Sequence, residues 1–94
     1  MKLISNRPLR EFAIIHPAAE EPLQSWRHLI ERNTSQNYAE LKGVFASVDK
    51  VGEKYVFNIG GNKYRLITTI TYQIQIMWVK SVLTHAAYDK GAWK

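Results

Sequence analysis

Cysteine is absent from this chain of 94 residues. That excludes disulfides and any zinc site built on thiolates, and it suits a reducing compartment. No apolar run approaches the roughly 18 residues needed to cross a bilayer. Met1 to Arg10 also lack the uninterrupted apolar segment of a signal peptide. The expectation is a soluble, cytoplasmic protein with no membrane partner. His16, His28 and His85 lie far apart and show no ligand spacing, so no metal and no cofactor are expected. Repeats, low-complexity tracts and linkers are missing too, and the chain reads as one domain over residues 1–94.

Acidic residues are scarce in one half only. Residues 1 to 41 carry five basic and five acidic side chains; residues 42 to 94 carry eight basic against three acidic. The whole net charge of +5 therefore falls in the C-terminal half. Such a half suits a polyanionic partner, nucleic acid before anionic membrane. A solvated lysine-rich surface is the plain alternative. Apolar residues, 46% of the chain with aromatics at 12%, suffice for a modest core.

Two patterns divide the chain. Ser5 or Asn6 can cap a helix with Pro8 in its first turn, and Leu9, Phe12 and Ile15 recur at helical spacing until Pro17 stops it near His16. A second helix puts Leu23, Trp26 and Leu29/Ile30 on one face, and Pro22 requires that it start near Glu20 or be kinked. Asn33 to Gln36 breaks it, and Tyr38 to Leu41 adds a short turn. After Lys42 the period becomes two. Val44-Phe45 reads as a short edge strand, followed by a polar loop through Asp49 to Gly52. Tyr55, Phe57 and Ile59 alternate in one strand, and Tyr64, Leu66, Thr68, Ile70 and Tyr72 in the next, with Gly60-Gly61 supplying the positive φ angles of a hairpin. After a turn near Gln73, a third run covers Ile74 to Leu83, and Thr84 can cap a helical turn from His85 to Lys90. The expected fold is α+β: two N-terminal helices packed on one face of a three- to four-stranded antiparallel sheet, the other face left free.

The hairpin does not need Arg65. On alternation it shares a mixed face with Lys63, Ile67 and Thr69. An arginine there can grip phosphate through two parallel hydrogen bonds, or pair with a carboxylate such as Glu53. Gly60 to Lys63 looks superficially like a phosphate loop, but no helix follows it. At the other end, His85, Tyr88, Asp89 and Lys90 cluster just after the last strand, and helical spacing puts His85 on a face with Tyr88 and Asp89. A histidine, a phenol and an ammonium near an arginine are the parts of a ribonuclease that works without metal. The plain alternative is that Tyr88 and Trp93 tether the C-terminal segment by packing, with His85 as a cap.

"VFNIGGNKYRLI" (residues 56 to 67), "VLTHAAYDKGAWK" (residues 82 to 94) and the N-terminal pattern "LREF…HP…PL..W" together resemble the HigB family of type II toxin–antitoxin toxins, relatives of the RelE-like mRNA interferases. The likeness covers nearly the whole chain. It implies a RelE-like fold, cleavage of translated mRNA on the ribosome, and neutralisation by a HigA-type helix-turn-helix antitoxin in a hetero-oligomer. Carried over by position, the pattern covers Asn58, Gly60, Gly61, Asn62, Tyr64 and Arg65, then Thr84, His85, Tyr88, Asp89 and Lys90. One departure is Ala87, where such sequences commonly have glutamate. The residues and the resemblance together give Arg65, His85, Tyr88 and Lys90 as catalytic candidates and Asn58, Asn62, Lys63, Lys80 and Asp89 as RNA-binding candidates, with Lys63 and Lys80 drawn from the basic half and not from the family pattern. The rival reading is a catalytically silent RNA- or ribosome-binding module that blocks translation by occupancy.

Overall fold

The computed structural model describes residues 1–94. Its first element was not foreseen: Lys2–Ile4 form a strand, β1. Ser5 turns the chain at φ +72°, and helix α1 follows over Arg7–Ile15. Asn6 holds the N-cap position with Pro8 in the first turn as expected, but its side chain makes no capping bond. Leu9 is buried and Phe12 packs against the core, whereas Ile14 and Ile15 are 78% and 74% exposed. Ile15 therefore does not continue the apolar stripe. His16, four residues beyond Phe12, stacks on that ring at 4.5 Å and takes the place expected for Ile15.

After a 3-10 turn at Pro17–Ala19, helix α2 runs over Glu20–Arg32. It starts at Glu20, so Pro22 lies in the first turn, where its missing N–H costs no intrahelical bond. Glu20 and Glu21 there oppose the positive end of the helix dipole. Leu23, Trp26 and Ile30 are buried; Leu29 is exposed.

The stretch read as a turn plus an edge strand is instead helix α3, Tyr38–Val44. Asn37 explains it. Its side-chain oxygen accepts from the Glu40 N–H at 2.9 Å, while Glu40 Oε1 accepts from the Gln36 N–H at 3.0 Å, a near-reciprocal cap. Leu41 and Phe45 then fall one turn apart, and Phe45 meets Phe57 edge-on at 5.2 Å. The edge strand is the neighbouring segment β2, Asp49–Val51, expected as loop.

β3 (Lys54–Ile59) and β4 (Tyr64–Thr71) make the hairpin, with Phe57 opposite Leu66, Asn58 opposite Arg65 and Ile59 opposite Tyr64. Gly60 and Gly61, at φ +62° and +70°, supply the backbone their loop requires. A second 3-10 turn, Tyr72–Ile74, delays β5 to Ile76–Thr84. Gln75 makes this turn at φ +55°, and its side-chain amide donates to the carbonyls of Tyr72 and Ser35, both at 2.9 Å. The last element, α4, is the five-residue helix His85–Asp89, capped by Thr84 Oγ1, which accepts from the Ala87 N–H.

The sheet order is β1-β5-β4-β3-β2. β1 lies parallel to β5, with Lys2 opposite Ile76 and Ile4 opposite Trp78; the other pairs are antiparallel. The α+β class and the helix-covered sheet are as read from the sequence, but five strands in a mixed sheet replace three or four antiparallel ones. Helices α1 to α3 contribute Leu9, Leu23, Trp26, Ile30 and Leu41 to a core completed by Tyr55, Phe57, Ile59, Leu66, Met77 and Val79. The opposite face is not left free. Val56 and Ile67 are buried there without joining that core, and Lys54, on the same face by alternation, donates to the Trp93 carbonyl at 2.7 Å. The C-terminal segment lies across it.

Candidate active site

Arg65 starts from an ordinary strand position, directly across from Asn58 on β3 and Leu83 on β5. Its surroundings are not those of a surface charge. The residue is 9% exposed. Nη2 donates to Asn62 Oδ1 at 2.6 Å, and Nη1 donates to the carbonyls of Asn62 and Tyr64, each at 3.3 Å. Burial of a guanidinium is tolerable only with such bonds. The partners come from the loop that the two glycines shape. Glu53, the alternative partner considered from sequence, sits in the β2–β3 turn at the far end of the hairpin and is not bonded to it.

Tyr88 completes the enclosure. The Arg65 guanidinium carbon lies 5.4 Å from its ring centroid, within range of a cation–π contact. Tyr88 in turn stacks on Trp93, with centroids 4.8 Å apart and planes 14° from parallel. The Trp93 indole N–H donates to the Tyr88 carbonyl at 2.8 Å. The packing reading of Tyr88 and Trp93 is therefore correct as geometry, and it places Tyr88 against Arg65 at the same time.

His85 is tied to the hairpin by its backbone, whose N–H donates to the Lys63 carbonyl at 3.0 Å. Its ring nitrogen Nδ1 lies 2.9 Å from Asp89 Oδ2 one turn on, both side chains partly open to solvent. The helical spacing read from sequence thus becomes a contact. With Asp89 holding Nδ1, the other ring nitrogen, Nε2, is the one left for chemistry. The cap at this helix is Thr84, not His85. Ala87 serves it through a backbone N–H, which alanine supplies as well as glutamate would.

Asn58, Asn62, Lys63, Arg65, His85, Tyr88 and Asp89 are drawn together in this way at the loop end of the hairpin. Lys90 is exposed just beyond α4. Lys80 is separate. The register shift that pairs Ile67 with Ser81 and Thr68 with Val79 leaves it as the extra residue of a bulge, three residues or roughly 10 Å along β5 from the partner of Arg65. Two residues of this cluster were missed in the sequence as parts of the site, Lys54 and Trp93. The signal available for them was weak: an aromatic and a lysine spaced about forty residues apart, joined only through the fold.

A family model of the HigB toxin, the RelE-like toxic component of a toxin–antitoxin system, matches residues 19–91. The chain belongs to the HigB family. It is 30% identical over 92 residues to the mRNA interferase toxin HigB of Escherichia coli strain K12, a match covering 95% of this chain and 88% of that protein. The mRNA interferase HigB of Escherichia coli O6:H1 is 30% identical over 93 residues, 96% of this chain and 90% of that one. HigB membership implies an antitoxin as partner, and the matched span includes every candidate residue named above up to Lys90. No helix is long and apolar enough to cross a membrane.

Proposed function

We propose that this HigB-family chain, acting as one domain over residues 1–94, is an endoribonuclease that cleaves mRNA on the ribosome in the cytoplasm, with a HigA-type helix-turn-helix antitoxin as its inhibitor. The mRNA interferase activity named for its relatives supports the reaction class. The observation that carries the reading is the convergence of Arg65, His85 and Tyr88 at one end of the sheet, through the Arg65–Tyr88 contact and the bond from His85 to the Lys63 carbonyl.

The chemistry runs on side chains. His85, oriented by Asp89, takes the proton from a ribose 2′-hydroxyl through Nε2. The 2′-oxygen attacks the adjacent phosphorus, a new P–O bond forms, and the bond to the 5′-oxygen breaks. Tyr88 delivers the proton that this leaving oxygen requires. The products are a 2′,3′-cyclic phosphate and a 5′-hydroxyl. Negative charge grows on the non-bridging oxygens during the step. Arg65, already oriented by Asn62, and Lys90 stabilise it without having to reorganise. Asn58 on β3, Lys63 in the hairpin loop and Lys80 on β5 add further polar and positive groups for RNA.

Primer extension on translated mRNA after induction is the test. Cleavage products that vanish in a His85→Ala, Tyr88→Ala double variant support the reading. Unchanged transcripts alongside growth arrest overturn it in favour of occupancy, as does a double variant that remains fully toxic while reversal of surface lysine charges abolishes toxicity.

A further inference from the structure

Trp93 belongs neither to the helix-side core nor to the partly buried residues packed on it. Its contacts are of a different kind. The ring stacks on Tyr88, the indole N–H bonds the Tyr88 carbonyl, and the Trp93 carbonyl receives the Lys54 ammonium at 2.7 Å, with that same Nζ 5.9 Å from the Trp93 ring. Gly91, at φ +75°, turns the chain back so that these contacts form, and its N–H also bonds the Tyr88 carbonyl at 3.0 Å. α4 is only five residues long, too short to hold a side chain in place by its own stability.

We infer that Trp93, anchored by Lys54, is the positioning residue of the site: it fixes the Tyr88 ring, and through it the Arg65 guanidinium, in the arrangement that cleavage uses. The inference rests on the reading of Tyr88 as the proton donor. Two buttresses hold that ring, Arg65 on the hairpin and Trp93 on the returning segment. Without the indole, Tyr88 keeps one of them and gains rotamer freedom. Lys54 joins the segment to β3, so the hairpin strands clamp Tyr88 from both ends of the chain of contacts. A group that must deliver a proton to one oxygen is sensitive to such freedom, whereas RNA binding through lysines is not.

The experiment compares wild type, Trp93→Ala, Trp93→Phe, Lys54→Met and Lys54→Arg on a reporter mRNA in a reconstituted translation system, with the folded fraction measured for each. Trp93→Ala is expected to lower kcat about 10- to 100-fold, the scale of a misplaced reacting group, with KM unchanged. Trp93→Phe keeps a stacking ring and recovers most of the rate. Lys54→Met loses rate and Lys54→Arg, which keeps a donor, restores it. Independently of cleavage, NMR of ring-labelled tyrosine follows Tyr88, whose ring protons lie in the shielding region of the indole; in Trp93→Ala they move toward random-coil positions. A rise in KM at constant kcat overturns the inference, because Trp93 then touches RNA. So does a Tyr88 signal that stays put, or a loss of rate fully explained by unfolded protein. If Tyr88→Phe cleaves like wild type, the proton-donor reading fails instead, and the NMR result still decides whether Trp93 positions the ring.

Discussion

Arg65 reaches back three residues to the Asn62 side chain, Nη2 to Oδ1 at 2.6 Å, so the hairpin loop orients the guanidinium before any substrate arrives. In the proposed role the planar guanidinium grips phosphate in a way that lysine cannot reproduce. Arg65→Ala should lower cleavage per folded molecule on the order of 10²–10³, and Arg65→Lys should rescue only part of that. Because the residue is buried, stability falls as well. Asn62→Ala, which removes a bond to a charged group, should itself cost about 1.5 kcal/mol. Cleavage and thermal unfolding measured on the same samples separate the two effects; an Arg65→Ala protein that unfolds early yet cleaves normally when folded makes Arg65 purely structural.

His85→Ala should reduce the rate by about 10²- to 10⁴-fold, the usual contribution of a general base. Asp89→Asn removes an exposed pair and should change stability by no more than about 1 kcal/mol. Its effect belongs in the rate. Cleavage rates and unfolding midpoints measured on the three proteins check both statements.

The two hairpin glycines should differ. Gly61 has no atom within 4 Å of an added Cβ, so Gly61→Ala meets only the left-handed backbone penalty, about 1 kcal/mol. Gly60→Ala meets that penalty too, but its Cβ falls into ordinary van der Waals contact, 3.4 Å from Tyr64 Cδ2 and 3.7 Å from Pro22 Cγ, so it should cost less. Chemical unfolding of both variants tests the order. Equal losses would mean that the Gly60 contact with α2 is unimportant.

Alkaline conditions should destabilise the fold through Tyr72. Its hydroxyl is buried without a partner in hydrogen-bonding geometry, and burial first, then the neighbouring Tyr55 and Tyr38, push the phenol well above its ordinary range. A raised folded-state pKa gives stability that is complete below the unfolded value near 10 and lost as pH climbs beyond it. Tyr72→Phe should flatten that decline while leaving neutral-pH stability equal or slightly higher. Unfolding midpoints from pH 8 to 11, within the range bracketing an ordinary phenol, provide the measurement.

Much of this was open to a reader of the sequence, and what was hidden has physical causes. The β3–β4 hairpin, the Thr84 cap and the His85–Asp89 contact are all local, set by residues at most a few positions apart. α3 was misread because adjacent Val44 and Phe45 look like a strand, while the deciding bond runs from Asn37 to the Glu40 backbone. β1 was missed because its three residues carry almost no periodicity and their one strand partner, β5, lies more than seventy positions away. Arg65 looked like a surface charge because alternation places it beside lysine. The hairpin loop and Tyr88 of α4 together bury it, and that meeting of two distant segments is not written in either one.

The pairing of Lys2–Ile4 with Ile76–Trp78 also bears on how the molecule comes together in time. Closing a loop of that span is entropically dear compared with zipping a four-residue hairpin loop, and distant pairings of this kind slow folding. The contact between Asn62 and Arg65 spans three residues and closes almost no loop. The strand that delivers His85 and Tyr88 is fixed at its far edge only when the beginning of the chain arrives. The contact that orients Arg65 is thus local, whereas the strand leading into His85 and Tyr88 is closed by the most distant pairing in the sheet.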